Sequence, residues 1–391
     1  MHITRRITSC LLILLISACN LSSTRFDSAE TVPIPDKSQT SSLITKNIVV
    51  NSKVKVDKEI KKQPPNNNKH TNLWFLIKDD LQFNSNINQR SVKEMIEWFS
   101  RHQKYLDRVA ERAEPYLFYI ISKLKERGMP LDLALLPIVE SAYKPFAYSP
   151  SHASGIWQFI PATGKRFGMK QNWWYDGRRD IVASTDGALD YLQYLNKRFN
   201  GNWFHALAAY NAGEGNVEKA IKKNKKAGKK TDFWSLPLPR ETRSYVPNLL
   251  ALTEVLRNNV KYNINFKKIL NKQYFEKVNV GSQIDLSTVS ELSGLSMDEV
   301  YNLNPAFNRW ATDPKGPHRL LIPLSKVNEF KQKLAVLPES ERITWKQHKI
   351  SDGESLSHIA LHHHTDVTTL KNINQLKNSR IRPGHFLLIP T

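Results

Sequence analysis

The chain has 391 residues, enough for two or three domains, and an apolar content ordinary for a protein with a real core. It carries 57 Lys and Arg against 36 Asp and Glu, a formal charge of +21. That balance suggests an acidic partner, whether nucleic acid, anionic membrane or acidic polymer, and charge alone does not choose among them.

Arg5 and Arg6 form a basic start, Ile7 to Ile16 is apolar, and Ser17-Ala18-Cys19 follows. This three-part build is an export signal, too short to be a comfortable spanning helix. The small residues before Cys19 resemble the bacterial lipoprotein signal, cut just before a cysteine that becomes lipidated; an ordinary secretory leader is the alternative. The resemblance implies a signal peptide over 1–19, lipidation at Cys19 and attachment to a membrane. Asn20, where Asp would favour inner-membrane retention, leans toward the outer membrane on its periplasmic face. Loss of Arg5 and Arg6 with the leader takes the charge from +21 to +19. Cys10 leaves too, so the mature chain has no disulfide, no zinc–thiolate site and no cysteine nucleophile. Export makes nucleic acid an unsuitable partner. Residues 20–72, rich in Ser, Thr, Asn, Lys and Pro, read as a disordered tether.

Residues 73–265 read as an all-helical domain. Met95, Trp98 and Phe99 are spaced three and four apart, and Leu106, Val109, Ala113, Leu117 and Ile120 continue that face. Pro115 is expected to interrupt it and start a new helix. Residues 188–199 and 205–213 are further helices, the second closed by Gly213. The lysine run at 219–230 reads as a solvated helix end, with contact to an acidic polymer or phospholipid surface as the sharper alternative.

Beyond about residue 265 an internal repeat appears on a shift of seventy positions. Val280 meets Ile350, Leu286 meets Leu356, Val300 meets Leu370 and Asn304 meets Asn374; both copies end in "LLIP", at 320–323 and 387–390. Each copy reads as strand, helix, helix, strand. The second copy (346–391), with "DGESLSHIA", "NINQL" and "IRPGHFLLIP", resembles the LysM module, a βααβ fold that binds N-acetylglucosamine-containing glycans such as peptidoglycan. The first copy (274–324) lacks the Asp-Gly-Glu-Ser turn and is a divergent relative. His358, His362, His363 and His364 cluster in the second copy; no nearby carboxylate or cysteine in the sequence completes a site, so no metal and no other cofactor is expected.

Three words in the helical domain carry chemistry: Glu140-Ser141 closing an apolar stretch, Ser154-Gly155-Ile156-Trp157-Gln158, and Ala208-Ala209-Tyr210-Asn211-Ala212-Gly213. Tyr245 follows in "ETRSYVPNLLA". Their order and spacing resemble the lytic transglycosylase domain of the goose-lysozyme-like superfamily, over about 75–265. The expected fold class is therefore mainly α: a lysozyme-like all-helical catalytic domain, then two small βααβ LysM-type modules.

Protonating a glycosidic oxygen needs a carboxylic acid with a raised pKa. Glu140 follows Leu135, Leu136, Ile138 and Val139, an apolar setting that disfavours the charged form. Pro137 is expected to kink the helix and set the projection of Glu140. No Asp or Glu occurs from Ser141 through Tyr175, so the second carboxylate of an ordinary glycosidase pair is not local. The resemblance implies a route without one. Glu140 protonates the bond between N-acetylmuramic acid and N-acetylglucosamine, then takes the proton from the 6-hydroxyl of muramic acid. That oxygen closes a 1,6-anhydro ring. It also implies that Ser149 orients the acetamido group, that Gln158 and Tyr210 meet sugar, and that Tyr245 contacts the catalytic carboxyl. Asn211 holds the turn beside them. Trp157 stands where many relatives have Met. Trp173 and Trp174 read equally as sugar stackers or core. A hydrolytic muramidase and an inert peptidoglycan-binding anchor remain as alternatives.

Overall fold

The structure is a computed structural model that describes residues 71–83, 86–343, 345–363 and 365–390; the signal peptide, Cys19 and nearly all of the expected tether lie outside the described residues. Among the described residues no helix is long and apolar enough to cross a membrane. The described residues, 71–390, belong to one compact unit.

The helical part runs α1 (Leu73–Asp79), α2 (Arg90–Ser100), α3 (Gln103–Glu126), α4 (Leu136–Ser141), α5 (Pro161–Arg166), α6 (Ile181–Arg198), α7 (Trp203–Ala212), α8 (Glu214–Lys226) and α9 (Arg240–Arg257). The apolar periodicity becomes buried surface. Val92, Ile96 and Phe99 of α2 face the core, as do Leu106, Val109, Ala113, Leu117, Ile120 and Leu124 of α3. They meet Leu192, Leu207, Val246 and Leu250 in one continuous cluster. Each fully buried side chain of this kind contributes about 1.5–3 kcal/mol. Side-chain caps fix the starts: Asn72 for α1, Asp180 for α6 and Asn202 for α7.

Pro115 does not divide α3, contrary to expectation; the helix is continuous for 24 residues. The carbonyl that loses its partner belongs to Glu111, on the exposed side, where water can satisfy it. Buried Ala113 and Leu117 on either side keep both halves on the same core.

Pro137 likewise starts a helix rather than kinking one. A buried 3₁₀ turn, Leu131–Leu135, leads into α4, and Pro137 occupies its first turn, where a missing N–H costs little. The short helix ends at Ala142 and Tyr143, with φ of 51° and 58°, left-handed values uncommon for side chains with a Cβ. Tyr143 is fully buried and donates its hydroxyl to the Ala134 carbonyl at 2.7 Å, holding that turn shut. Glu140 therefore sits in the last turn of a helix clamped at both ends.

The repeat folds as two βααβ units. The first has β1 (Phe275–Asn279), α10 (Leu286–Ser293), α11 (Met297–Leu303) and β2 (Arg319–Pro323), followed by α12 (Leu324–Val336). The second has β3 (Trp345–Lys349), α13 (Leu356–His362), α14 (Val367–Ile373) and β4 (Phe386–Pro390). Each makes a two-stranded antiparallel sheet, with Lys277 opposite Leu321 and Gln347 opposite Leu388. In both, the paired Asn bonds the last strand: Asn304 through Leu321, Asn374 through Leu388. Helix α12, which the pattern did not mark, buries Val327, Phe330 and Leu334 in the core of the first unit.

The first unit is docked on the helical domain. Tyr175 is buried in the unit's core beside Phe307. The Asp176 N–H donates to the Ala306 carbonyl and the Asn308 N–H to the Trp174 carbonyl, both at 2.8 Å. Lys170 pairs with buried Asp313, and Arg319 with Asp180, each at 2.7 Å. Trp173 and Trp174 pack against Trp310 and Arg309 in this seam, which accounts for them as contact between the two parts.

Candidate active site

Glu140 projects from the end of α4 toward α9, where the Tyr245 hydroxyl donates a short hydrogen bond to Glu140 Oε1. The residue keeps a partly exposed surface, but its carboxyl lies deep among protein atoms. Burial raises its pKa from the ordinary carboxylate value of 4.5 to about 8; the Tyr245 hydrogen bond opposes that shift, and the charge of Glu241 adds to it. Glu140 is thus held mainly as the neutral acid at pH 7. Burial also raises the pKa of Tyr245 and of Tyr210, with the nearby Glu140 charge contributing, so both hydroxyls remain donors.

The loop after α4 brings in the second word. Gly155 has φ of +80°, and a Cβ there would lie 2.2 Å from the Arg178 carbonyl oxygen, so only glycine fits. Trp157 is fully buried beneath the loop and donates its ring N–H to Thr185 at 3.1 Å, and its carbonyl accepts from the Tyr210 hydroxyl at 2.8 Å. This ties the loop to α7. Gln158 has φ of 51°, and its amide nitrogen donates to the Gly155 carbonyl at 2.8 Å and the Ala147 carbonyl at 3.2 Å. Both N–H groups are then committed to the loop, which leaves the Gln158 carbonyl oxygen for other work. Ser149 Oγ accepts from the Ala153 N–H and lies against Ser151 Oγ, each at 3.0 Å. Ser141, next to Glu140, donates its hydroxyl to the Ile156 carbonyl at 3.0 Å.

Asn211, at the end of α7, accepts from Thr242 at 2.8 Å and donates to Glu241 at 3.3 Å. It joins α7 to the start of α9, the helix that carries Tyr245. The structure therefore links Glu140 directly to Tyr245, and Gln158, Tyr210 and Asn211 through the loop and helix ends around them. Ser149 sits on the outer part of the same loop, and no direct bond joins it to Glu140.

Two residues of this region were not singled out by sequence reasoning. Glu241 is a distant carboxylate that folds back near Glu140; its place four residues before Tyr245, one helical turn away, is the available signal. Arg178 is buried and donates to the carbonyls of His152 at 2.6 Å, in the middle of the loop, and Phe159 at 3.1 Å, at its end. Nothing in the Arg178-Arg179 pair of a polar stretch marks one of them as buried. Of the histidine cluster, His363 reaches His348, which lies outside the cluster and bonds a carboxylate. His348 contacts Glu354 at 2.8 Å and His363 at 3.2 Å. Among the described residues, no group of three or more His, Cys, Asp or Glu is arranged to hold a metal ion.

Comparison with known families adds to this geometry. Residues 118–233 match the Transglycosylase SLT domain, 274–339 the lytic transglycosylase MltD LysM-like domain, and 348–390 the LysM domain. The chain is 38% identical over 327 residues to membrane-bound lytic murein transglycosylase D of Escherichia coli K12, spanning 81% of this chain and 72% of that one. It is 27% identical over 217 residues to a putative soluble lytic murein transglycosylase of Haemophilus influenzae, spanning 51% and 36% of the two chains. An X-ray structure of an inactive mutant of lytic transglycosylase Slt from Pseudomonas aeruginosa aligns with a TM-score of 0.30 and 26% identity, over 39% of this chain and 25% of that one. From its catalytic-domain match, its two C-terminal modules and this extent of identity, the chain belongs to the membrane-bound lytic murein transglycosylase D family.

Proposed function

We propose that this protein is a peptidoglycan lytic transglycosylase of the cell envelope in which Glu140 is both acid and base. The observation that carries the reading is the Glu140 carboxyl, held neutral by burial and bonded by Tyr245, with the Glu241 charge nearby. Glu140 gives its proton to the glycosidic oxygen between N-acetylmuramic acid and N-acetylglucosamine, and the bond from carbon 1 to that oxygen breaks. The 2-acetamido group stabilises the positive charge developing at carbon 1. The Glu140 carboxylate then takes the proton from the 6-hydroxyl as that oxygen bonds to carbon 1. Atoms balance without water, and the acid is regenerated. An internal hydroxyl has a high effective concentration, which removes the need for a base to activate water.

The hydrogen bond from Tyr245 suits this cycle. It favours the carboxylate and so eases the first proton transfer, while burial keeps the resting acid protonated. The Ser149 hydroxyl, which accepts from Ala153, can turn its proton toward the acetamido oxygen. The Gln158 carbonyl oxygen can accept from a sugar hydroxyl. Tyr210 holds the loop through the Trp157 carbonyl, and Asn211 holds the start of α9 through Thr242 and Glu241. The module at 348–390 would retain the enzyme on glycan, and the lipid on Cys19 would hold it at the periplasmic face of the outer membrane. The domain limits that go with this reading are a signal at 1–19, a tether over 20–72, a catalytic domain over 73–265 and modules at 274–324 and 346–391. Glu140→Gln is expected to abolish release of muropeptides from sacculi, while sacculus binding stays near normal. Near-normal release by this variant would remove Glu140 from the mechanism.

A further inference from the structure

The loop 147–159 carries Ser149, Trp157 and Gln158, yet it has little regular structure; its backbone is held by the isolated bridges of Ser154 with Tyr148 and Phe159. What fastens its middle to its C-terminal end is Arg178. Its Nη1 donates to the His152 carbonyl at 2.6 Å and to the Phe159 carbonyl at 3.1 Å. Its Nε and Nη2 donate to the two oxygens of Asp176 at 2.9 and 2.7 Å. Its own carbonyl lies where a Cβ on Gly155 would fall, and its side-chain stem crosses Gly164, where a Cβ would come within 2.8 Å of Cγ. One buried residue thus touches the loop at its middle, at its tightest turn and at its C-terminal end.

The segment that bears Arg178 is in turn fastened to the first βααβ unit. Asp176 orients the guanidinium with its carboxylate and gives its N–H to the Ala306 carbonyl at 2.8 Å. Beside it, Lys170 pairs with Asp313 at 2.7 Å. A continuous path of bonds runs from the divergent unit through Asp176 and Arg178 to the loop.

We propose that Arg178 is a positioning residue for the cleavage reaction, and that the divergent unit steadies the active-site loop through it. This rests on the assignment of Glu140 and the 147–159 loop to catalysis. The planar fork of Arg178 makes four bonds, two to the carboxylate and one to each carbonyl, where a lysine ammonium has three N–H donors. In Arg178→Lys the charge stays buried beside Asp176 while one or both loop carbonyls lose their donor. Misplacement of catalytic groups by about 1 Å costs on the order of a hundredfold in rate.

The test uses the full chain with isolated sacculi as substrate. Arg178→Lys is expected to lower kcat by about 10- to 100-fold, with KM changed less than about threefold, because the loop positions groups rather than supplying most of the affinity. Hydrogen exchange at the loop amides of Ser154, Gly155 and Gln158 should accelerate, while amides in α3 and α9 keep their protection. Asp176→Asn, which keeps one side-chain oxygen and removes one of the two acceptors of the Arg178 guanidinium, should act in the same direction and serves if Arg178→Lys does not fold. Lys170→Met, at the seam, should accelerate exchange at the same loop amides. Unchanged kcat per folded molecule in both Arg178→Lys and Asp176→Asn, or a loss that merely tracks the unfolded fraction, would overturn the role of Arg178. Unchanged loop exchange in Lys170→Met would overturn the part given to the divergent unit. An active Glu140→Gln enzyme would instead defeat the underlying functional reading, so the two failures are distinguishable.

Discussion

Replacing Glu140 with Gln should stabilise the protein while inactivating it, and the gain should depend on pH. In the unfolded chain this carboxyl titrates near 4.5; in the folded chain it titrates at about 8. Below pH 4.5 both states hold the proton and folding feels no penalty. As pH rises, the unfolded state ionises first, so stability is lost progressively until the folded pKa is passed. At pH 7 the cost is about 3 kcal/mol from 1.36 kcal/mol per pH unit, and solvent contact at the rim of the residue trims it to about 2 kcal/mol. Gln has the same shape, keeps an oxygen to accept from Tyr245 and cannot ionise. The variant should therefore melt about 4–8 °C higher than the parent at pH 7, using about 2–4 °C per kcal/mol for a domain of this size. The difference should be near zero at pH 4 and larger at pH 9. Near-ultraviolet circular dichroism of the full chain follows the transition, since buried Trp74 and Trp157 report on the helical domain. An equal shift at all three pH values, or a lower melting temperature at pH 7, would refute the claim that Glu140 is a buried, neutral acid.

Tyr245→Phe removes the bond that favours the charged form, so the Glu140 pKa should rise and the alkaline limb of the pH–rate profile should move up by about one unit, with kcat lowered roughly 10- to 100-fold. A limb that moves down would contradict the assigned sign. Glu241→Gln removes a neighbouring negative charge, so the same limb should move to lower pH while cleavage persists. A loss as complete as that of Glu140→Gln would make Glu241 the second carboxylate of a hydrolytic pair, read from the same rate measurement.

The helices and the two βααβ units were legible because burial is periodic. Val92, Ile96 and Phe99, or Leu286 and Val289 against Leu356 and Ile359, mark faces that physics requires to be covered. The prolines were harder. Pro115 and Pro137 carry the same local rule, and the outcome turned on which carbonyl would be orphaned and whether water could reach it, facts that belong to the fold. Glu140, Gln158, Tyr210, Asn211 and Tyr245 were visible as short words in order. How they are held was not. Gln158 spends its amide nitrogen on the loop, Tyr210 spends its hydroxyl on the Trp157 carbonyl, and Arg178 ties the middle of the loop to its end. These bonds end on backbone carbonyls, which every residue has, so no side-chain pattern announces them. Helix α12 and the seam of Trp174 with Trp310 were missed for a related reason: contact between parts distant in sequence leaves no period to read.

Mass analysis of the muropeptides released from sacculi bears most directly on a single carboxyl that works without water. The account predicts glycan ends that carry 1,6-anhydromuramic acid, lighter by one water than reducing ends and unlabelled when digestion is run in ¹⁸O-water. Reducing ends that take up the label would contradict it.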